Sequence, residues 1–216
     1  MIKIENVEVV GWEHAIRGMR NPMNSWDKSD SEWVGDVNYN LVIEIGTNDL
    51  ELMKRLVNAG TDHRKFMRMI VVYADITAPL YWWKECDTYK VGTVANSCST
   101  MHKITSKPIQ LSDFSVDDFN IDDDYSEIAL SDMFINVAAD CEELRKKYLE
   151  TKDKRYWKGL IQLLPQSYNQ KRTVMLNYEV LKNMYHSRKN HKLDEWRTFC
   201  DFIETLPYAK ELIINE

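Results

Sequence analysis

The chain has 216 residues, is 44% apolar and 11% aromatic, and carries a formal charge of −6. That supports one packed domain over residues 1–216, and no window approaches the roughly 18 continuous apolar residues of a membrane span. The acidic balance argues against general nucleic-acid binding, which needs a concentrated basic surface.

In chain order, "MIKIENVEVV" alternates like a strand and lacks the basic and apolar regions of a signal peptide, so a cytoplasmic protein is expected. "GWEHAIRGMRNPMNSWDKSDSEW" predicts a short helix and then a loop, and "NYNLVIEIG" a second strand. "TNDLELMKRLVNAG" predicts a helix with Asn48 as N-cap, Glu51 completing a capping box, Leu52, Leu56 and Val57 on one face, and Gly60 at its end. "RKFMRMIVVYADI" is strand-like. "TAPLYWWKECDTYK" predicts a helix capped by Thr77 with Pro79 in its first turn.

Asp87 to His102, "DTYKVGTVANSCSTMH", then concentrates hydroxyls, an asparagine and a glycine. Such a segment can present donors to an anionic ligand, or its hydroxyls can cap local backbone groups; without GK[ST] it is not a P-loop. Residues 112–132 carry eight carboxylates, without the glycine and ligand spacing of a calcium loop, and read as a solvated connection.

The remainder reads as helical. Phe134, Val137, Cys141, Leu144 and Tyr148 form one stripe, "YWKGLIQLLP" stops at Pro165, "YNQKRTVMLNYEVLKNMYHSR" makes a third helix and "LDEWRTFCDFIETLP" a fourth. Strands first and helices afterwards predict an α+β fold, with a central, mostly antiparallel sheet and a helical C-terminal half.

Chemistry is sparse. Cys86, Cys98, Cys141 and Cys200 form no CxxC and read as reduced thiols. His14, His63, His102, His186 and His191 form no HxxxH or HExxH pair, so no metal site is expected. On a continuous third helix, Asn177 and Arg188 lie within about 20° of one face and roughly 16 Å apart, the reach of a nucleotide-sized ligand. Arg188 suits bidentate phosphate recognition, or is a helix-end cation complementing the macrodipole.

These segments together resemble the flavin-dependent thymidylate synthases. "LLPQSYNQKRTVMLNYEVLKNMYHSR" matches the family's Leu-Pro followed by N-x-R-x-x-x-N and a terminal Leu-Arg, through Pro165, Asn177, Asn183 and Arg188. "LMKRLVNAG", the following strand, "AP" and the tryptophan-bearing helix resemble the stretch before the signature RHRxxSxNExSxRY. That signature falls on "TYKVGTVANSCSTMH", where Asn96 and Ser99 take the places of its Asn and second Ser. The resemblance covers about residues 48–105 and 157–205. Thr88, Tyr89 and Lys90 replace the RHR triplet, Ser97 its Glu, Met101 its final Arg, Glu179 the Arg of N-x-R, Ile161 an upstream Arg and Thr61 a His.

The resemblance implies transfer of a methylene group from methylenetetrahydrofolate to dUMP or a related pyrimidine nucleotide, followed by reduction with FAD and NADPH. It implies a homotetramer and no need for a cysteine nucleophile, and leaves the catalytic residues unassigned. It further implies substrate binding by Asn96, Ser97, Ser99 and Arg188, with His63, Lys90, Asn177 and Asn183 near the flavin. Seven tryptophans, ten methionines and "LYWWK" also suggest an interface. The altered residues leave a second possibility, a flavin-free nucleotide-binding or interaction protein that keeps the fold.

Overall fold

The computed structural model describes residues 2–35, 41–116 and 130–215. The expected first strand is β1 (Lys3–Val10) and the short helix is α1 (Trp12–Arg20). Two 3-10 turns follow, and then β2 (Glu32–Gly35), which the sequence did not reveal. It pairs antiparallel with β3 (Leu41–Glu44), Trp33 standing opposite Ile43.

Helix α2 (Thr47–Asn58) is present, but Gly46, not Asn48, is its N-cap. The capping oxygens come from outside the segment: the Asp30 carboxylate accepts from the Asn48 and Asp49 N–H groups at 2.9 and 3.1 Å. A capping box written locally is therefore superseded by a tertiary one. Gly60 does end the helix region, with φ +101°. The expected strand from Arg64 divides into a 3-10 turn, Arg64–Arg68, and β4 (Val71–Pro79). Pro79 rather than Thr77 caps α3 (Leu80–Cys86).

The hydroxyl-rich segment becomes β5 (Thr93–Ser97) and the one-turn α4 (Thr100–Lys103). Most of the acidic connection lies outside the described residues. Helices α5 (Leu130–Thr151) and α6 (Lys154–Leu163) follow the expected stripe and the stop at Pro165. The predicted third helix is half strand: Asn169–Asn177 forms β6, and only Tyr178–Arg188 is helical, as α7. Helix α8 (Asp194–Glu204) is as expected, and a π-helical turn, Lys210–Ile214, ends the described chain.

The strand order is β1-β4-β6-β5, so β6 is an interior strand. Sheet pairing overrides the helix propensity of its Gln, Lys, Arg, Met and Leu. The class is α+β with an antiparallel sheet, as expected, although the C-terminal half is not wholly helical.

The chain forms two compact units. Unit 1 takes residues 2–4, 76–88 and the described part of 96–173. Its core joins α5 and α6 through Ala138, Cys141 and Leu160, with Ile104, Ile109 and Phe114 from the preceding loop. Trp82 and Trp83, expected on an interface, are buried here at 0% and 1% exposure. Trp83 donates to the Gln170 carbonyl at 2.9 Å, and Arg172 lies 4.2 Å above its ring.

Unit 2 takes residues 5–75 outside the undescribed segment, 89–95 and 174–215. It buries Met53, Tyr178, Leu181, Met184, Trp196, Phe199 and Leu212. Trp12 meets Tyr178 edge-on at 5.3 Å, and the Tyr178 hydroxyl donates to the Pro207 carbonyl at 2.7 Å. A buried ring with one satisfied polar tip anchors the start of α7.

Candidate functional site

Helix α7 starts where β6 stops, and Asn177 makes the change. Its backbone is extended, and its Oδ1 accepts from the Val180 N–H at 2.9 Å, supplying an acceptor for a helix start. This places Asn177 at the cap rather than on a helix face, as a continuous helix would have had it. Its own N–H donates to the Gly92 carbonyl at 3.1 Å. Gly92 has φ +79°, and a Cβ there would stand 2.9 Å from Cγ of Asn177. Both the dihedral and the space call for glycine.

Arg188, in the last turn of α7, donates from Nε to the Tyr89 hydroxyl at 3.0 Å. Its guanidinium lies 4.9 Å from the Trp196 ring centroid and 5.6 Å from that of Tyr89. It is half-buried, which corrects the picture of an exposed helix-end cation. Two motif segments remote in sequence thus meet at both ends of α7: Gly92 at Asn177 and Tyr89 at Arg188. Lys90 lies between these contacts and is exposed.

A cavity of about 510 Å³ opens beside α7, lined by Arg64, Lys182, Asn183, His186 and Ser187, with Val57, Asn58 and Gly60 from the end of α2. Asn183, expected near a cofactor, is on its wall, while His63 is exposed and its neighbour Arg64 does the lining. Lys182 donates to the Ile213 and Asn215 carbonyls at 3.0 and 2.9 Å.

Arg64 was not anticipated. Its Nε stands 3.0 and 3.1 Å from the two carboxylate oxygens of buried Glu179, where the resemblance would have an arginine. The signal was an acid inside an otherwise cationic motif, which needs a partner if buried.

The remaining expected residues belong to unit 1. Asn96 and Ser97 are exposed at the end of β5. Ser99 caps α4, its Oγ accepting from the His102 N–H at 3.1 Å. Thr88 and Thr93 likewise donate to the Glu85 and Tyr89 carbonyls at 2.7 and 2.6 Å. Local capping thus accounts for three hydroxyls of this segment. Arg172, also missed by sequence reasoning, donates from Nη1 to Asp87 at 2.7 Å and from Nε to Gln170 at 3.0 Å. Strand alternation across β6 would have found it.

Burial pushes the Cys141 and Cys200 thiols up to about 11, so neither is a ready thiolate at neutral pH. Among the described residues, no group of three His, Cys, Asp or Glu could hold a metal ion, and no helix is long and apolar enough to cross a membrane.

No protein-family model matches this sequence, and no curated protein matches it. Solved structures do. Thymidylate synthase X (ThyX) from Helicobacter pylori, with FAD and dUMP, is 15% identical, with a TM-score of 0.70 over 99% of this chain and 97% of that one. A second structure, flavin-dependent thymidylate synthase ThyX from Helicobacter pylori complexed with FAD and dUMP, is 16% identical, with a TM-score of 0.63 over 97% and 98%. The ordered segments, their meeting along α7 and this likeness agree: the chain has the fold of the flavin-dependent thymidylate synthases.

Proposed function

We propose that this protein binds a pyrimidine nucleotide and FAD and carries out reductive methylation of dUMP or a close relative, with methylenetetrahydrofolate and NADPH as co-substrates. The observation that carries this is the junction of the two motif segments on α7. Asn177 and Arg188 retain the motif's residue types and touch the segment where the signature would fall. Residues 1–216 act as one functional domain in this proposal.

The α7 cavity fits a phosphate-bearing part of a nucleotide cofactor. Arg64, Lys182 and His186 supply positive or protonatable groups, Asn183 and Ser187 neutral donors, and its volume suits a portion of a dinucleotide. Arg64 would hold the phosphates, with the charge of Lys182 behind its carbonyl contacts, and Asn183 would orient the adjoining ring; Lys90 and His63 are assigned to the cofactor on the sequence resemblance. A flavin supplies hydride chemistry when bound. The chain's own part is positioning. Arg188, in contact with Tyr89 and Trp196, is assigned to the nucleotide as its cationic partner. On the sequence resemblance, Asn96, Ser97 and Ser99 are proposed as donors to a pyrimidine nucleotide.

Assembly into a homotetramer belongs to this proposal. It is supported by the exposed apolar side chains of Val91 and Val94 on the segment that contacts α7, at 86% and 59% exposure. Light scattering giving a monomer mass at micromolar concentration would remove a shared site.

Buried Glu179 favours a second possibility, a nucleotide-binding protein without flavin, because its carboxylate repels phosphate and partly neutralises Arg64. Titration of the purified protein with FAD and, separately, with dUMP decides between them. Saturable flavin absorbance near one per chain together with dUMP binding supports the enzyme. dUMP binding alone supports the second possibility, and neither sinks both.

A further inference from the structure

Outside that site, unit 2 holds another cavity of about 510 Å³, walled by Trp26, Trp33, Ile16 and Ile43 with the buried Arg20 among its lining. We infer that it is a binding site for an uncharged planar aromatic molecule carrying a carbonyl acceptor at its edge.

Three features select this chemistry. Trp26 and Trp33 are 50% and 51% exposed, although large aromatic surfaces of this kind are normally covered. The Trp26 indole and the Trp33 backbone are both held in place. Trp26 is pinned by its N–H to Asn21 Oδ1 at 2.8 Å, and Trp33 sits in the β2–β3 ladder opposite Ile43. Pre-set flat surfaces of this type take a flat ring with little ordering cost.

The second feature is Arg20, only 4% exposed. Its Nε donates to Asp49 at 2.6 Å and its Nη1 to the Ser25 carbonyl at 3.1 Å, while its Nη2 makes no hydrogen bond among the described residues. That donor is not sealed away from solvent, so an acceptor entering the cavity can reach it.

The third is charge. Asp49 already neutralises Arg20, and Glu13 and Arg17 on the lining cancel each other. A carboxylate entering the cavity would lose its hydration without gaining a net counter-charge, whereas a carbonyl meets the free donor at little cost.

The test is equilibrium dialysis of full-length protein against 1-naphthamide, with 1-naphthoate and the saturated decahydronaphthalene-1-carboxamide as controls. Saturable binding of one naphthamide per chain is expected, weakened about tenfold by Trp33→Leu and by Trp26→Leu, the scale of one lost ring stack. Trp33→Phe keeps a flat ring and restores most of the affinity, which separates stacking from a folding defect. The carboxylate and the saturated amide should each bind at least about fivefold more weakly, for want of counter-charge and of a flat face. Excess dUMP should leave naphthamide binding unchanged, so the result stands apart from the proposed nucleotide site. Absence of saturable binding overturns the inference. So do equal affinity in both leucine variants, naphthoate as tight as the amide, or displacement by dUMP.

Discussion

Arg188 and Tyr89 stand 99 residues apart and are joined by a 3.0 Å hydrogen bond from guanidinium Nε to phenol oxygen. The arginine thus combines a hydrogen bond to Tyr89 with ring contacts to Tyr89 and Trp196. Arg188→Lys keeps the charge and loses both the Nε donor and the planar stack. Stability should fall by about 0.5–1.5 kcal/mol, the net worth of a neutral-acceptor hydrogen bond. Affinity for dUMP should fall by about 1.5–3 kcal/mol if the fork also grips the nucleotide. Tyr89→Phe should reproduce the stability loss, and the double variant should show coupling in urea melts. Unchanged dUMP affinity in Arg188→Lys would remove Arg188 from the nucleotide site.

Gly92 is the tightest sequence constraint beside α7. Gly92→Ala forces a methyl toward the Asn177 amide at a backbone angle that L-residues avoid, and should destabilise by about 1–3 kcal/mol. Asn177→Ala, which removes only the cap oxygen, should cost about 1 kcal/mol, and Asn177→Asp much less. Chemical denaturation of the three variants gives this order. A harmless alanine at 92 would mean that the loop moves freely away from the cap.

Asp49 predicts an acid-sensitive fold. Burial pushes its carboxyl up, but hydrogen bonds from Ser29, Ser31 and Arg20, with the charge of Arg20, outweigh that and hold it below the ordinary 3.8. A depressed folded value contributes stability that is fully present above the unfolded value and disappears as pH falls through the folded one. Wild-type melting temperature should therefore drop below about pH 4. Asp49→Asn leaves Arg20 buried without its counter-charge, should cost about 3–5 kcal/mol at pH 7, and should lose its part of the acid slope. Parallel acid limbs in the two proteins would refute the assignment.

The pair between Arg64 and Glu179 can be tested by exchange. Arg64→Ala strands a buried carboxylate and should destabilise by about 3 kcal/mol or more. Swapping both, Arg64→Glu with Glu179→Arg, should recover a large part of that loss. It also puts an arginine where the sequence resemblance expects one. Thermal melts read the first effect and FAD titration the second; a swap as unstable as the single variant would mean that geometry, not charge, fixes the pair.

Much of the architecture was written locally. The helical stripe through Phe134, Val137, Cys141 and Leu144 became the α5 face of the unit 1 core, and α8 and the Pro165 stop fell where the periodicity put them. Two errors share one cause. Asn169–Asn177 has helix-forming residues yet fills an interior strand, and α2 takes its cap from Asp30 rather than Asn48. Partners far along the chain decided both, and no local pattern encodes them. The same holds at the site. Asn177, Asn183 and Arg188 could be singled out from the motif spacing but not their surroundings, whereas Arg64 and Arg172 act through contacts with Glu179 and Trp83 that only the folded chain brings together.

The division of the chain also limits how it can be dissected. The polypeptide passes between its two compact units at 4–5, 75–76, 88–89, 95–96 and 173–174. A single protease nick, or one truncation point placed anywhere in the chain, therefore cannot release either unit as one uninterrupted fragment. A truncation meant to isolate the α7 site would have to discard part of its own scaffold, so point variants and whole-chain permutants are the tools that suit this protein.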